Sequence, residues 1–146
     1  MAPVESVAPT QPDAAPRFAS RRAGRLRPRW IGGMPARAFV DDRATGATLG
    51  VRHAVAAPRI AALLQAEAEG RGPHLPAPTP LVDRYAVALR SGPGQSTWLV
   101  TQRFARGVDA IAATADPELA RRAAELLNRV DPYRPIRSGG GGVGWF

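Results

Sequence analysis

The sequence has no cysteine and no lysine among its 146 residues, and it has only two histidines. Without cysteine, disulfide bonds, thiolate nucleophiles and cysteine-based zinc sites are excluded by composition. The histidines, His53 and His74, lack the HExxH spacing of a zinc-binding helix. We therefore expect no metal site and no bound cofactor.

Long apolar runs are missing as well. No segment approaches the roughly 18 consecutive apolar residues that a membrane-spanning helix needs. Residues 1–20 carry Glu5, Asp13 and four prolines where a signal peptide would have its apolar region. The sequence therefore predicts a cytoplasmic protein without a membrane partner.

Local catalytic motifs are also missing, since the sequence contains no GxSxG, GxGxxG or P-loop pattern. The run GGGGVG follows the last predicted helix, so it cannot place a phosphate at a helix N-terminus. An active site built from distant Asp, Tyr or Arg residues has no local signature. The sequence names no catalytic residue and favours a non-catalytic protein, while an enzyme stays open.

Positive charge is spread unevenly along the chain. Residues 1–37 hold seven arginines against two carboxylates, and residues 132–146 add two arginines. Residues 38–131 hold eleven arginines and ten carboxylates, so they are nearly neutral although the chain carries a net charge of +8. An arginine-only composition favours anion recognition through the planar guanidinium group, and GC-rich coding would produce the same bias.

Residues 1–35 are predicted to be a disordered Pro/Ala/Arg-rich basic arm, because prolines interrupt any helix and little surface can be buried. Within it, RFASRRAGRLRPRW combines guanidinium groups, which neutralise phosphates, with aromatic rings, which stack on bases. The alternative is a solvated linker whose Trp30 packs on the domain. The candidate residues for binding nucleic acid or another polyanion are Arg17, Arg21, Arg22, Arg25, Arg27, Arg29 and Trp30.

Residues 36–131 are predicted to form a single α+β domain. A hairpin turns at Asp41–Gly46, where turn chemistry explains the paired carboxylates better than a metal site does. A helix follows from Pro58 to Glu69, and residues 70–80 form a proline-rich loop. A second hairpin spans residues 85–104, and a helix opened by Asp116 and Pro117 carries an apolar stripe.

The predicted order is thus β-β-α-β-β-α. It indicates a two-layer sandwich, with an antiparallel sheet of about four strands covered on one face by both helices. The two halves share no residue pattern beyond this order, so no internal duplication is predicted. Strands at the sheet edges could pair between subunits, which leaves a homodimer open.

Residues 132–146 are predicted to be a flexible Gly-rich tail that ends in Trp145 and Phe146. Two aromatic side chains on a glycine tether are typical of a segment that docks on a protein partner. The alternative is that the tail folds back on the domain. Three hypotheses of function remain: polyanion binding through the arm, protein docking through the tail, and a small-molecule enzyme or binding domain.

Overall fold

The computed structural model of the chain describes residues 15–24, 27–72, 83–92 and 94–131. Six of the strands in these residues form one antiparallel sheet, in the order β1-β4-β5-β8-β7-β6, and β2 and β3 form a separate hairpin. Two helices pack on one face of the large sheet. The elements are β1 (Phe18–Arg22), β2 (Arg29–Ile31), β3 (Met34–Ala36), β4 (Ala38–Asp42), β5 (Thr48–Val51), α1 (Ala56–Ala68), β6 (Tyr85–Gly92), β7 (Gln95–Phe104), β8 (Gly107–Thr114) and α2 (Pro117–Val130).

The predicted α+β class with an antiparallel sheet and two helices is confirmed, but the predicted sheet of four strands is wrong. The additional strands of the sheet are β1, at one edge, and β8, near the centre. Both have weak local signals, since β1 has one large apolar residue and β8 is rich in alanine. Pairing with distant strands decides their conformation, so the element order differs from the predicted one.

The structure also differs from the predicted domain boundary at residue 36. Strands β1, β2 and β3 lie within the segment predicted to be a disordered arm. Phe18 anchors this segment, because its side chain is 3% exposed and its N–H donates to Gln65 Oε1 at 2.9 Å. The N-terminal 14 residues, residues 73–82 and the predicted tail at 132–146 lie outside the described residues.

The large sheet consists of two similar halves, β1-β4-β5-α1 and β6-β7-β8-α2. The halves meet where Gly50 of β5 pairs with Ala113 of β8. The strand registers repeat around this pair: Val40 and Val100 occupy equivalent positions in the second strand of each half. The first strand of each half begins with a buried aromatic residue, Phe18 or Tyr85.

The helices repeat as well, although the sequence alone predicts no duplication. Each helix places two leucines and then an amide on the sheet, at residues 63–65 in α1 and 126–128 in α2. Gln65 Oε1 accepts the outward N–H of Phe18 at 2.9 Å. Asn128 accepts the N–H of Tyr85 and donates to its carbonyl, both at 2.8 Å. A pseudo-two-fold axis perpendicular to the sheet at the Gly50–Ala113 pair relates the two halves.

The β2–β3 hairpin breaks this symmetry. It is inserted between the first two strands of the N-terminal half, whereas a tight turn joins the equivalent strands β6 and β7. The hairpin covers the face of the sheet opposite the helices, where Met34, Ala36, Phe39 and Ala113 form a second buried cluster. Gly50 permits this packing, because a Cβ there would lie 2.6 Å from Ile31 Cδ1 and 3.0 Å from Ala36 Cβ.

We expect Gly50→Ala to lower the free energy of unfolding by about 1–3 kcal/mol, since the added methyl group displaces the hairpin. Urea denaturation measures the change. Gly24→Ala is the control, because a Cβ at Gly24 meets no atom within 4 Å, and we expect its effect to stay within about 0.5 kcal/mol. Equal effects of the two substitutions would show that the hairpin does not depend on close contact at Gly50.

Candidate polyanion-binding surface

The structure separates the arginines of the predicted binding segment into paired and unpaired groups. Arg17 forms a bidentate ion pair with Asp42, at 2.9 Å from Nε to Oδ1 and 3.1 Å from Nη2 to Oδ2. Arg21 forms a second one with Asp41, at 2.6 and 3.3 Å. Both guanidinium groups are engaged by carboxylates of the same chain, which makes them less available to an external anion, although the Arg21 side chain is 51% exposed.

The carboxylates in these pairs are held strongly in the ionised form. Arg17 is the main reason that the pKa of Asp42 is lowered to about 2, and Thr45 and the backbone N–H of Ala44 also donate to this carboxylate. The hydrogen bond from Arg21 lowers the pKa of Asp41. Asp41 and Asp42 therefore bind the chain that precedes them, in addition to shaping the turn that follows.

The other arginines of the segment lie where the hairpin leaves the sheet. Arg22 ends β1, Arg27 lies on the connection and Arg29 begins β2, all three exposed. Arg37, which follows β3, joins them because its carbonyl accepts the N–H of Ala23 at 3.0 Å. We call these four arginines the hairpin base. None of the four forms an ion pair with a carboxylate in the described part of the chain.

Two arginine charges act on His53, which lies near the hairpin base. Burial is the largest cause that lowers the pKa of His53, and the charges of Arg52 and Arg37 lower it further. Arg52 is close to this end of the hairpin, since the N–H of Arg37 donates to the carbonyl of Val51 at 2.9 Å. The field of several unpaired guanidinium groups attracts anions to this surface.

Trp30 lies next to Arg29 on β2, and 66% of its surface is exposed. It borders a cleft of about 500 Å³ between the hairpin, the β4–β5 turn and the ends of β7 and β8. The Phe39 ring also lines the cleft, and the guanidinium carbons of Arg21 and Arg29 lie 4.5 and 5.8 Å from its centroid. Hydroxyl groups of Thr48, Ser96 and Thr97 add polar lining.

The charged residues that line the cleft are one cation, Arg29, and one carboxylate, Asp116. The Asp116 carboxylate accepts the N–H groups of Glu118 and Leu119 as the N-cap of α2. An exposed aromatic ring, a free cation and hydroxyl groups suit a ligand that has a flat ring and a negative charge. A nucleotide unit of a single strand has both features.

The structure therefore brings together Arg22, Arg27, Arg29 and Trp30 of the candidate residues and assigns Arg17 and Arg21 to internal ion pairs. Arg25, Trp145 and Phe146 lie outside the described residues. Sequence analysis missed Arg37 and the hydroxyl groups of the cleft, because strand pairing over long sequence distances places them there. The residues next to them in the sequence do not indicate that they lie at this surface.

In the described residues no group of three or more His, Asp or Glu side chains could hold a metal ion. Neither described helix is long and apolar enough to cross a lipid bilayer. Comparison with known proteins found no matching family model, no matching curated protein and no matching solved structure.

We expect Asp42→Asn to change how stability depends on pH. The pKa of Asp42 in the folded state, about 2, lies below the ordinary value of 3.8. Its ionised form therefore stabilises the fold above about pH 4, and this contribution, on the order of 2 kcal/mol, is lost as the pH falls towards 2. Urea denaturation at several pH values should show a difference from wild type that shrinks between pH 4 and pH 2.

The control is Asp109→Asn, an exposed carboxylate that forms no ion pair with a described residue. It should stay close to wild type across the whole range. If the difference between wild type and Asp42→Asn were the same at pH 2 and pH 7, the Arg17–Asp42 pair would not contribute to stability in the way described.

Proposed function

We propose that the chain is a non-catalytic accessory protein that binds single-stranded nucleic acid through the hairpin base and Trp30. The observation that carries this proposal is the division of the arginines. Arg17 and Arg21 pair with Asp42 and Asp41, whereas the four arginines of the hairpin base have no described carboxylate partner, and one of them, Arg29, lines the same cleft as the exposed Trp30. A surface that keeps guanidinium groups unpaired beside an exposed ring suits phosphate contact together with base stacking.

The cleft supports a single strand over a duplex. A stacked base must leave its neighbours to lie on Trp30, and unpaired nucleotides do this at little cost. Arg29 precedes Trp30 on the same strand and lines the same cleft, so we propose that it contacts a phosphate next to the stacked base. The cysteine-free composition fits a reducing compartment, so we propose a cytoplasmic location.

We expect the triple variant Arg22→Gln, Arg27→Gln, Arg29→Gln to bind a fluorescent oligonucleotide about tenfold more weakly than wild type, or worse. The slope of log K against log salt should fall by about 2, since each lost phosphate contact on a single strand removes about 0.7. Fluorescence anisotropy over a salt series measures both quantities on the full chain.

The matched control removes the same charge elsewhere, from Arg103, Arg106 and Arg129, which are exposed and form no described ion pair. Its affinity and salt slope should stay near those of wild type. If both triple variants lost the same affinity, binding would follow net charge alone and the hairpin base would not be the site. Equal binding of heparin and oligonucleotide would identify a general polyanion surface.

We expect Trp30→Ala to weaken oligonucleotide binding by about 1–3 kcal/mol, because a stacked base contributes that much. The salt slope should not change, and Trp30→Phe should restore part of the affinity. The melting temperature should stay near that of wild type, since the side chain is largely exposed. Full affinity of Trp30→Ala would reject the stacking role.

The cleft favours a second candidate, the binding of a small molecule with a flat ring and an acidic group, since its volume lies in the range of ligand sites. A mononucleotide that competes with the oligonucleotide would be consistent with either candidate. Tight binding of small ring compounds together with no binding of oligonucleotides would favour the second. Docking on a protein through Trp145 and Phe146 stays a prediction.

A further inference from the structure

Within the described part of the chain, the outer edge of β6 has main-chain groups without a hydrogen-bond partner. The N–H of Arg103 donates to the carbonyl of Arg84, which fixes the alternation along the strand. Residues 86, 88 and 90 therefore hydrogen-bond to β7, and the N–H and C=O groups of Val87, Leu89 and Ser91 point outward. Within the described residues, nothing pairs with these three.

Tyr85, the outward-facing residue that precedes Val87 on this edge, already has hydrogen-bond partners for its main chain. Asn128 of α2 accepts the outward N–H of Tyr85 and donates to its carbonyl, as a neighbouring strand would. Gln65 has the equivalent position at Phe18 on the opposite edge. Each helix thus covers the first residue of an edge strand, and no other described residue pairs with the rest of the β6 edge.

The two edges differ in how they are protected. Strand β1 ends with Arg21 and Arg22, and charged side chains on an edge discourage pairing with other chains. In β6 the single charged residue is Arg90, whose Nη1 donates to the carbonyl of Gly32 at 2.7 Å, below the sheet. Leu89 is 51% exposed in the middle of this unprotected edge.

We propose that β6 pairs antiparallel with β6 of a second copy of this chain, with Leu89 at the two-fold axis. In this register Leu89 faces Leu89 of the second copy, and Val87 faces its Ser91. Three pairs of residues then exchange two hydrogen bonds each, so that every outward main-chain group of the open edge is used.

The ends of the strand limit the register. The main chain of Tyr85 is already occupied by Asn128, and β6 ends at Gly92. A shift by two residues in one direction would set Ser91 against Tyr85, and a shift in the other direction would set Val87 beyond Gly92, the last residue of the strand. The outer edge of β6 is therefore complementary to the same edge of a second copy in one register. It is less complementary to an unrelated strand.

The side chains agree with this pairing. Leu89 lies opposite Trp98 on the helix side of the sheet, so the two leucines would extend the apolar layer across the seam. Ala88 faces Arg90 of the second copy, so like charges are not directly opposed. The two-fold axis is perpendicular to the sheet, which puts both β2–β3 hairpins on the same face of a continuous sheet.

Analytical ultracentrifugation of the full chain over a range of concentrations tests the pairing. Wild type should form a dimer, and Leu89→Lys should raise the dimer dissociation constant at least about tenfold, because it opposes like charges at the axis. Val108→Lys is the control, since Val108 is equally exposed at 51% on β8. A monomeric wild type, or equal dimerisation of both variants, would overturn the proposal.

Crosslinking in this cysteine-free chain tests the register. Leu89→Cys should form an intermolecular disulfide on mild oxidation, because opposed residues of such a pair have Cα atoms about 5.5 Å apart. Ser91→Cys is the matched exposed control, whose mate would lie four residues away along the strand, about 14 Å. Crosslinking of both variants at the same rate, or of neither, would overturn the proposed axis.

Discussion

The close approach of two chain segments at the centre of the sheet is the constraint on which the rest of the molecule depends. Gly50 and Ala113 face each other where β5 and β8 pair, and neither has a large side chain on the face opposite the helices. Ile31 and Ala36 of the hairpin occupy the space that such a side chain would need. Because the hairpin lies flat there, its arginines and Trp30 have a fixed place relative to the sheet.

This arrangement explains why sequence analysis predicts some elements and misses others. Helix α2 has an Asp N-cap, a proline in its first turn and an apolar stripe, and the structure has it at Pro117–Val130, with the Asp116 side chain accepting from two N–H groups. The predicted start of α1 at Pro58 is two residues late, since Ala56 begins the helix and its N-cap Val55 makes no side-chain hydrogen bond. Local chemistry is therefore enough to predict both ends of α2, whereas the start of α1 carries no such local signal.

Strands β1 and β8 depend on partners that are distant in sequence. β1 owes its place to the burial of Phe18, to Gln65 and to ion pairs with carboxylates 20 and 25 residues away. In β8 a β-bulge opposite Val100 and Thr101 turns both Ile111 and Ala112 towards the helices, which hides the alternation that would identify a strand. The arginine cluster was visible in the sequence, but its division into paired and unpaired members depends on these same contacts.

The pseudo-symmetry helps to separate the residues that the fold requires from those that it does not require. Positions related by the axis show what the scaffold itself requires: an aromatic residue that begins the edge strand, a helix amide that covers it, and a buried polar residue opposite it, Asp42 in one half and Gln102 in the other. Asp42 accepts from Arg17, whereas the Gln102 side-chain amide has no hydrogen-bond partner within the described residues. The hairpin has no counterpart in the described residues of the second half, so the pseudo-symmetric scaffold does not account for Arg27, Arg29 and Trp30, which are residues that the proposed nucleic-acid binding uses.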